Sequence, residues 1–192
     1  MIIYIKNMVC NRCVRAVEKI FESNGIPVSK IALGEVEIKD KISYIQLKTV
    51  TSVLNIEGFE ILDDKNAKII ERIKNIVIEQ IHHGKPQGNR INFSQLLENI
   101  LLRDYSFLSN LFSVTEGLTI EKYIILQKTE RVKELMVYGE KSLSEIAFEM
   151  GYSSVAHLSS QFKKTTGLTP SNFRAISSHK RKGLDNIRLE II

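Results

Sequence analysis

The chain contains two cysteines, Cys10 and Cys13, set two residues apart in the run Met8-Val9-Cys10-Asn11-Arg12-Cys13. Two thiolates at this spacing can converge on one ion, and the start of a helix would stabilise them through its exposed amides and dipole. Arg12 and Arg15 add positive potential beside them. Soft sulfur suits Cu(I), which accepts two ligands, whereas Zn²⁺ normally takes four that this neighbourhood does not supply. A dithiol redox switch, or thiols that do no chemistry, are the competing readings. His82 and His83 are expected to serve the carbonyls and dipole at a helix end rather than a metal.

A second set of residues is suited to reading base edges. Ser153, Ala156, His157 and Ser160 share one helical face that ends in Lys163 and Lys164,. Small polar side chains fit a DNA groove, and lysines suit its phosphate rim. Upstream, Ser106, Ser109, Asn110 and Ser113 make a comparable face, on which the Asn110 amide can pair bidentately with N6 and N7 of adenine,. A helical hairpin with a merely solvated polar face is the bland alternative.

The elements that must carry these faces follow from capping and periodicity. Ser142 with Glu145 forms a capping box that opens a helix burying Ile146, Ala147 and Met150,. Gly151 ends it, and Ser153 is placed to cap a second helix running to about Thr165, with Leu158 and Phe162 inward,. Upstream, Asn92 to Leu102 forms a helix, Asp104 caps another with Leu108, Leu111 and Phe112 inward, and Gly117 ends it,. Thr119 to Tyr138 forms a long connecting helix. It buries Tyr123, Leu126, Val132, Leu135 and Met136 and leaves Lys122, Lys128, Glu130, Lys133 and Glu134 wet,.

The stretch Ser142 to Arg174 resembles the second half of the AraC/XylS class of bacterial transcription regulators. The resemblance rests on Ile146, Ala147, Gly151, Tyr152, Leu158, Phe162, Lys163 and Lys164, then Gly167, Thr169, Pro170, Ser171, Phe173 and Arg174. It implies two helix-turn-helix units, joined by the long helix, entering successive major-groove segments on one face of double-stranded DNA. Ser160 stands where members of that class often carry arginine, and Lys128 and Val132 where arginine and alanine are common. With no arginine on either reading helix, modest affinity with a large electrostatic share is expected, helped by homodimerisation or a second ligand.

Before residue 65 the pattern changes. Strands are expected at Ile2 to Lys6, Val28 to Leu33, Glu35 to Ile38 and Phe59 to Leu62. Helices are expected at Arg12 to Ser23 and at Ser43 to Asn55, the second with Ile45, Leu47, Val50 and Leu54 apolar,. The order βαββαβ is ferredoxin-like. Strand, MxCxxC loop, helix and the Gly58-Phe59 pair resemble the heavy-metal-associated domain of copper chaperones and metal-pumping ATPases, over roughly residues 1 to 64. That resemblance places Met8, Cys10 and Cys13 in the metal motif. Asn7 replaces the usual glycine, as the commonest non-glycine residue at positive φ.

The fold class is therefore α+β: a ferredoxin-like βαββαβ domain over 1–64, an all-α double helix-turn-helix domain over 66–177, and a basic tail over 178–192. The helix from Asn66 to His83 is expected to open the helical domain, leaving Asp63 to Lys65 as linker. Gly84 to Asn89 is the expected mobile segment,. Basic and acidic residues balance at nine each over residues 1–65, so the whole net charge of +5 lies in the helical part,. His179, Lys180, Arg181 and Lys182 extend it, a tail expected to be solvated,. No apolar run is long enough to cross a bilayer, and the start shows no leader, so a cytoplasmic location is expected. Glycine-rich phosphate loops, paired carboxylates and nucleophile–base pairs are missing, so no enzymatic activity is expected. The alternative functions are a metal-handling protein whose helices dock a partner protein, and a dithiol redox protein.

Overall fold

The computed structural model describes residues 1–84 and 91–176. The basic run from His179 to Lys182, and all of the Gly84 to Asn89 segment beyond Gly84, lie outside the described residues. Two compact units divide at Asn75 and Ile76.

The first unit runs β1 (Ile2–Lys6), α1 (Asn11–Ser23), β2 (Val28–Ala32), β3 (Glu35–Ile38), α2 (Tyr44–Ile56) and β4 (Glu60–Leu62) into α3 (Lys65–Ile78). Its four strands pair antiparallel in the order β2-β3-β1-β4. Alternation sends Ile3, Ile5, Val36 and Ile38 to one face, where they pack with Val17, Phe21, Val50 and Leu54 of α1 and α2,. Ile45, grouped by type with the apolar set of α2, is 77% exposed. It stands about 200° around the helix from Leu47, whose face also carries Val50 and Leu54.

The opposite face of the sheet is engaged by the start of α3. The Lys68 ammonium lies 5.5 Å from the centre of the Tyr4 ring, and Arg72 Nε meets Glu35 Oε1 at 2.9 Å. Asn75 donates to the Leu33 carbonyl at 3.3 Å. Beside it Gly34 has φ +75°, which favours glycine, and a Cβ there would lie 2.0 Å from the Asn75 amide nitrogen and displace that side chain,. These contacts explain why the units divide inside α3 instead of at Asp63 to Lys65.

In the second unit α3 ends in a π-helical turn, Glu79–His83. It is followed by α4 (Phe93–Leu101), α5 (Tyr105–Glu116), α6 (Ile120–Tyr138), α7 (Leu143–Glu149), α8 (Val155–Thr166) and α9 (Pro170–Ile176). The side chains of Asn92, Thr119 and Ser142 each cap the helix that follows, and Ser142 with Glu145 forms the anticipated capping box,. Asp104 occupies the cap position of α5 without a side-chain cap bond. Ser154, not Ser153, caps α8, accepting from the His157 amide at 3.1 Å.

α6 is the centre of this unit, packed by the π-helical turn and by α5, α7, α8 and α9. Enclosure on so many sides overturns the expectation that Glu130 and Lys133 stay wet. Both are buried, and they pair at 2.7 Å. Gln127 and Thr129 are buried as well. Nor does His82 sit at a solvated helix end: its Nε2 meets Gln127 Oε1 at 2.9 Å, and Gln127 in turn donates to the Tyr123 hydroxyl at 3.0 Å. Burial lowers its pKa to about 4, opposite to the effect of a helix C-terminus,.

Candidate nucleic-acid interface

The pairs α4–α5 and α7–α8 are built to one plan. Leu108 and Phe112, buried on α5, recur fifty positions on as Leu158 and Phe162, buried on α8. Caps Asn92 and Asp104 recur as Ser142 and Ser154, and the left-handed Gly117 recurs as Gly167. The correspondence continues into the helix that closes each pair. Phe112 lies 5.6 Å from the Tyr123 ring of α6, and Phe162 lies 5.6 Å from the Phe173 ring of α9.

With Leu158 and Phe162 turned inward, Ala156, His157, Ser160, Lys163 and Lys164 of α8 are all exposed. Ser153 is exposed just before the helix and meets His157 Nδ1 at 3.0 Å. The His157 ring packs edge-on against Tyr152 at 5.3 Å. These two contacts fix the imidazole before any ligand arrives, which lowers the entropy cost of using its other nitrogen.

Tyr152 is itself held from α6. The Lys128 ammonium donates to the Met150 carbonyl at 2.7 Å and lies 5.4 Å from the Tyr152 ring centre. Lys128 is therefore a clamp on the α7–α8 turn, not the solvated residue expected from its position on the helix. Burial raises the Tyr152 phenol to about 12, so it remains neutral,. Arg174 of α9 donates to the Lys141 carbonyl at 2.8 Å and ties the end of the motif to the start of α7.

On α5, Ser106 and Asn110 are exposed, but Ser109 and Ser113 are half-buried. Phe107 and Val114 share the exposed strip instead. An apolar residue next to a core leucine reads as core in a sequence, which is why Phe107 was missed. The fifty-residue correspondence finds it, because it pairs Phe107 with His157, Asn110 with Ser160 and Val114 with Lys164. At the start of α5 the Tyr105 hydroxyl bonds Glu121 of α6, and its amide donates to Glu98 at 2.8 Å. A cleft of about 600 Å³ carries both Tyr105, the first residue of α5, and His157 of α8 on its wall, so both helices begin on the same side of α6.

The thiols occupy the loop after β1 and the first turn of α1, with sulfurs 3.5 Å apart. Burial opposes ionisation of Cys10, yet hydrogen bonds from Cys13 and Arg12 bring its pKa below the ordinary value; burial pushes the Cys13 thiol up. Met8 is wholly buried in the core, where it supports the loop. Asn7 adopts φ +72°, with its amide N–H donating to Glu71 of α3 at 3.1 Å and its side chain to the Gly58 carbonyl at 2.8 Å. Among the described residues no third histidine, cysteine or carboxylate joins the two thiols as a metal-binding group. Among them, too, no helix is long and apolar enough to cross a membrane.

Residues 104–176 match a family described as a helix-turn-helix domain. The chain is 32% identical over 100 residues to a xylose operon regulatory protein of Haemophilus influenzae, a match covering 52% of this chain and 26% of that protein. It is 25% identical over 92 residues to the melibiose operon regulatory protein of Escherichia coli K12, covering 48% and 30%. The chain spans less than half the length of the curated relatives it matches. In fold it is similar to the C-terminal domain of AraT, a response regulator from Geobacillus stearothermophilus. That likeness has a TM-score of 0.51 and 20% identity, and covers 62% of this chain and 95% of that one.

Proposed function

We propose that the C-terminal part is an AraC/XylS-type helix-turn-helix domain and that the chain is a sequence-selective DNA-binding transcription regulator, not an enzyme, with two reading units; the helix-turn-helix match and the similarity to a xylose operon regulatory protein support this reading. α5 and α8 enter successive major-groove segments of one DNA face, with Ser106 and Asn110 on the first and Ala156, His157 and Ser160 on the second presented to base edges. Lys163 and Lys164 meet the phosphate rim. The observation that carries this reading is the fifty-residue correspondence, which puts exposed strips at equivalent positions on two helices that start on the same side of α6.

The first unit is read as a ferredoxin-like, heavy-metal-associated domain whose Cys10 and Cys13 hold Cu(I). Two thiols converging at a helix start, without a third protein ligand among the described residues, suit a two-coordinate soft ion,. Bound metal would displace the thiol protons, hold both sulfurs as thiolates and fix the loop that Asn7 ties to Glu71 of α3,. Because α3 continues into the second unit, a change in that tie is a route by which metal would bias DNA binding. A redox switch is the second reading. It is favoured by the unequal thiols, with Cys10 the easier to ionise and its sulfur 3.5 Å from Cys13,.

The test is sequencing of genomic fragments retained by the purified chain, in matched Cu(I)-loaded, metal-free reduced and oxidised samples. A bipartite site with half-sites about one DNA turn apart supports the regulator. A difference confined to the Cu(I) sample, lost in the double variant Cys10→Ser, Cys13→Ser, supports metal sensing. A difference confined to the oxidised sample favours the redox reading. No enrichment in any sample overturns DNA reading in favour of docking to a partner protein.

A further inference from the structure

On α5 the exposed strip of Ser106, Phe107, Asn110 and Val114 carries no charge; the one side chain of the helix charged at neutral pH is Glu116, at its last residue. Phe107 is 46% exposed and Val114 78% exposed. Single exposed apolar residues need no explanation. These two differ because they are seven residues apart, two turns along one face, with Asn110 between them. They also occupy the positions that His157 and Lys164 hold on α8. A strip of about 10 Å, the rise over seven residues, matches roughly three base pairs of the groove.

The chemistry of the strip is specific. The C5-methyl of thymine is the apolar feature a base pair displays in the major groove, and an exposed aromatic or aliphatic side chain gains by covering it. An asparagine amide matches the N6 and N7 edge of adenine. Guanine offers two acceptors and is matched best by arginine or lysine, neither of which lies on α5,. We infer that α5 is a reader of A·T pairs, in which Phe107 and Val114 cover thymine methyls on either side of an adenine held by Asn110. The half-site under α5 is then A·T-rich and read by shape and methyl contact, while α8 with its lysine pair supplies the salt-dependent attraction. This inference rests on the DNA-reading function proposed above and narrows it.

The experiment uses the full chain and a random-sequence duplex library, followed by titration of the selected duplex resynthesised with deoxyuridine for thymidine in one half-site at a time. Uracil keeps the pairing and removes only the methyl. The expected result is an A·T-rich half-site in which uracil weakens binding about three- to fivefold per contacted methyl. The other half-site, where Ala156 offers only a single methyl, should be less sensitive. The variant Phe107→Ser, Val114→Ser should lose the uracil effect while keeping its salt slope, since no charge has changed. An enriched site with uracil-insensitive halves, or G·C-rich selection retained on the α5 side, overturns the inference and leaves DNA reading intact. A library with no enriched sequence overturns both.

Discussion

Pair α4–α5 buries Leu108 and Phe112 beneath Tyr123, and pair α7–α8 buries Leu158 and Phe162 beneath Phe173, yet the two differ in how their turns are held and in what their strips present. The second turn contains a glycine in the left-handed region, a lysine from α6 on its carbonyl and an imidazole locked by two neighbours. The first uses Leu102 at φ +53°, 83% exposed, so that a residue with a Cβ sits in a left-handed conformation and gains little packing in return,. A shared core therefore leaves the exposed strip and its supports free to diverge. The second pair is preorganised and basic, the first strained and apolar.

The largest effect expected from breaking this comparison is on binding. Ala156→Glu puts a carboxylate on the exposed strip of α8 without touching the core. It should weaken DNA binding by about 1,000-fold, since like charge at an interface costs several kcal/mol, with the thermal midpoint unchanged. Retained binding, followed by fluorescence anisotropy, would mean that the strip faces away from DNA.

A smaller effect concerns α6, which serves both pairs. His82 is packed against Gln127 and faces Glu134, Arg131 and His83, and its pKa is lowered to about 4 chiefly by burial. As pH falls from about 6.5 the unfolded chain takes up the proton first. Stability of the helical unit should therefore drop through the window from about 6.5 to about 4, by on the order of 3 kcal/mol, and be fully present above it. Urea midpoints at pH 7 and pH 4.5 measure this, and His82→Gln should flatten the difference. A pH dependence unaltered in that variant would assign it to other groups.

The comparison is sharpened by Lys128→Met, which removes the clamp from one pair only. A loss of about 1.5–3 kcal/mol is expected, the usual range for a hydrogen bond involving a charged group. Hydrogen exchange should rise in α7 and α8 but not in α4 and α5. Smallest of all, Leu102→Asn should stabilise the first pair by up to about 1 kcal/mol, because asparagine tolerates the left-handed region better. A lowered midpoint would show that Leu102 makes a contact worth more than its strain.

Local chemistry made much of this legible. Asn92, Thr119 and Ser142 cap as their types suggest, and the alternation of Ile3 and Ile5 placed the sheet core. Two adjacent serines defeated the same logic at α8, since Ser153 and Ser154 are equivalent as isolated caps; only the distance from Asp104 singles out Ser154. Periodicity failed on α6 for a different reason. A helix enclosed by neighbours on many sides has no wet face to recognise, so Glu130 and Lys133 are buried by pairing with one another. The start of α3 was assigned to the helical half because its contacts, Tyr4, Glu35 and Leu33, lie far back in the sequence. Phe107 was hidden by its type, and an aromatic on an exposed strip is recognised only once its counterpart His157 is placed.

α6 closes the first pair through Tyr123 and clamps the second through Lys128, and its 19 residues span roughly 28 Å,. It is a ruler with a phase as well as a length. One inserted residue would advance everything beyond it by about 1.5 Å but turn it by about 100°, swinging the α8 strip out of alignment with α5. Only insertions close to whole turns, such as seven residues, nearly restore the angle. On the proposed reading, a target whose half-sites are offset by a fraction of a turn must be accommodated by twisting the DNA, because the helix between the readers has no intermediate settings.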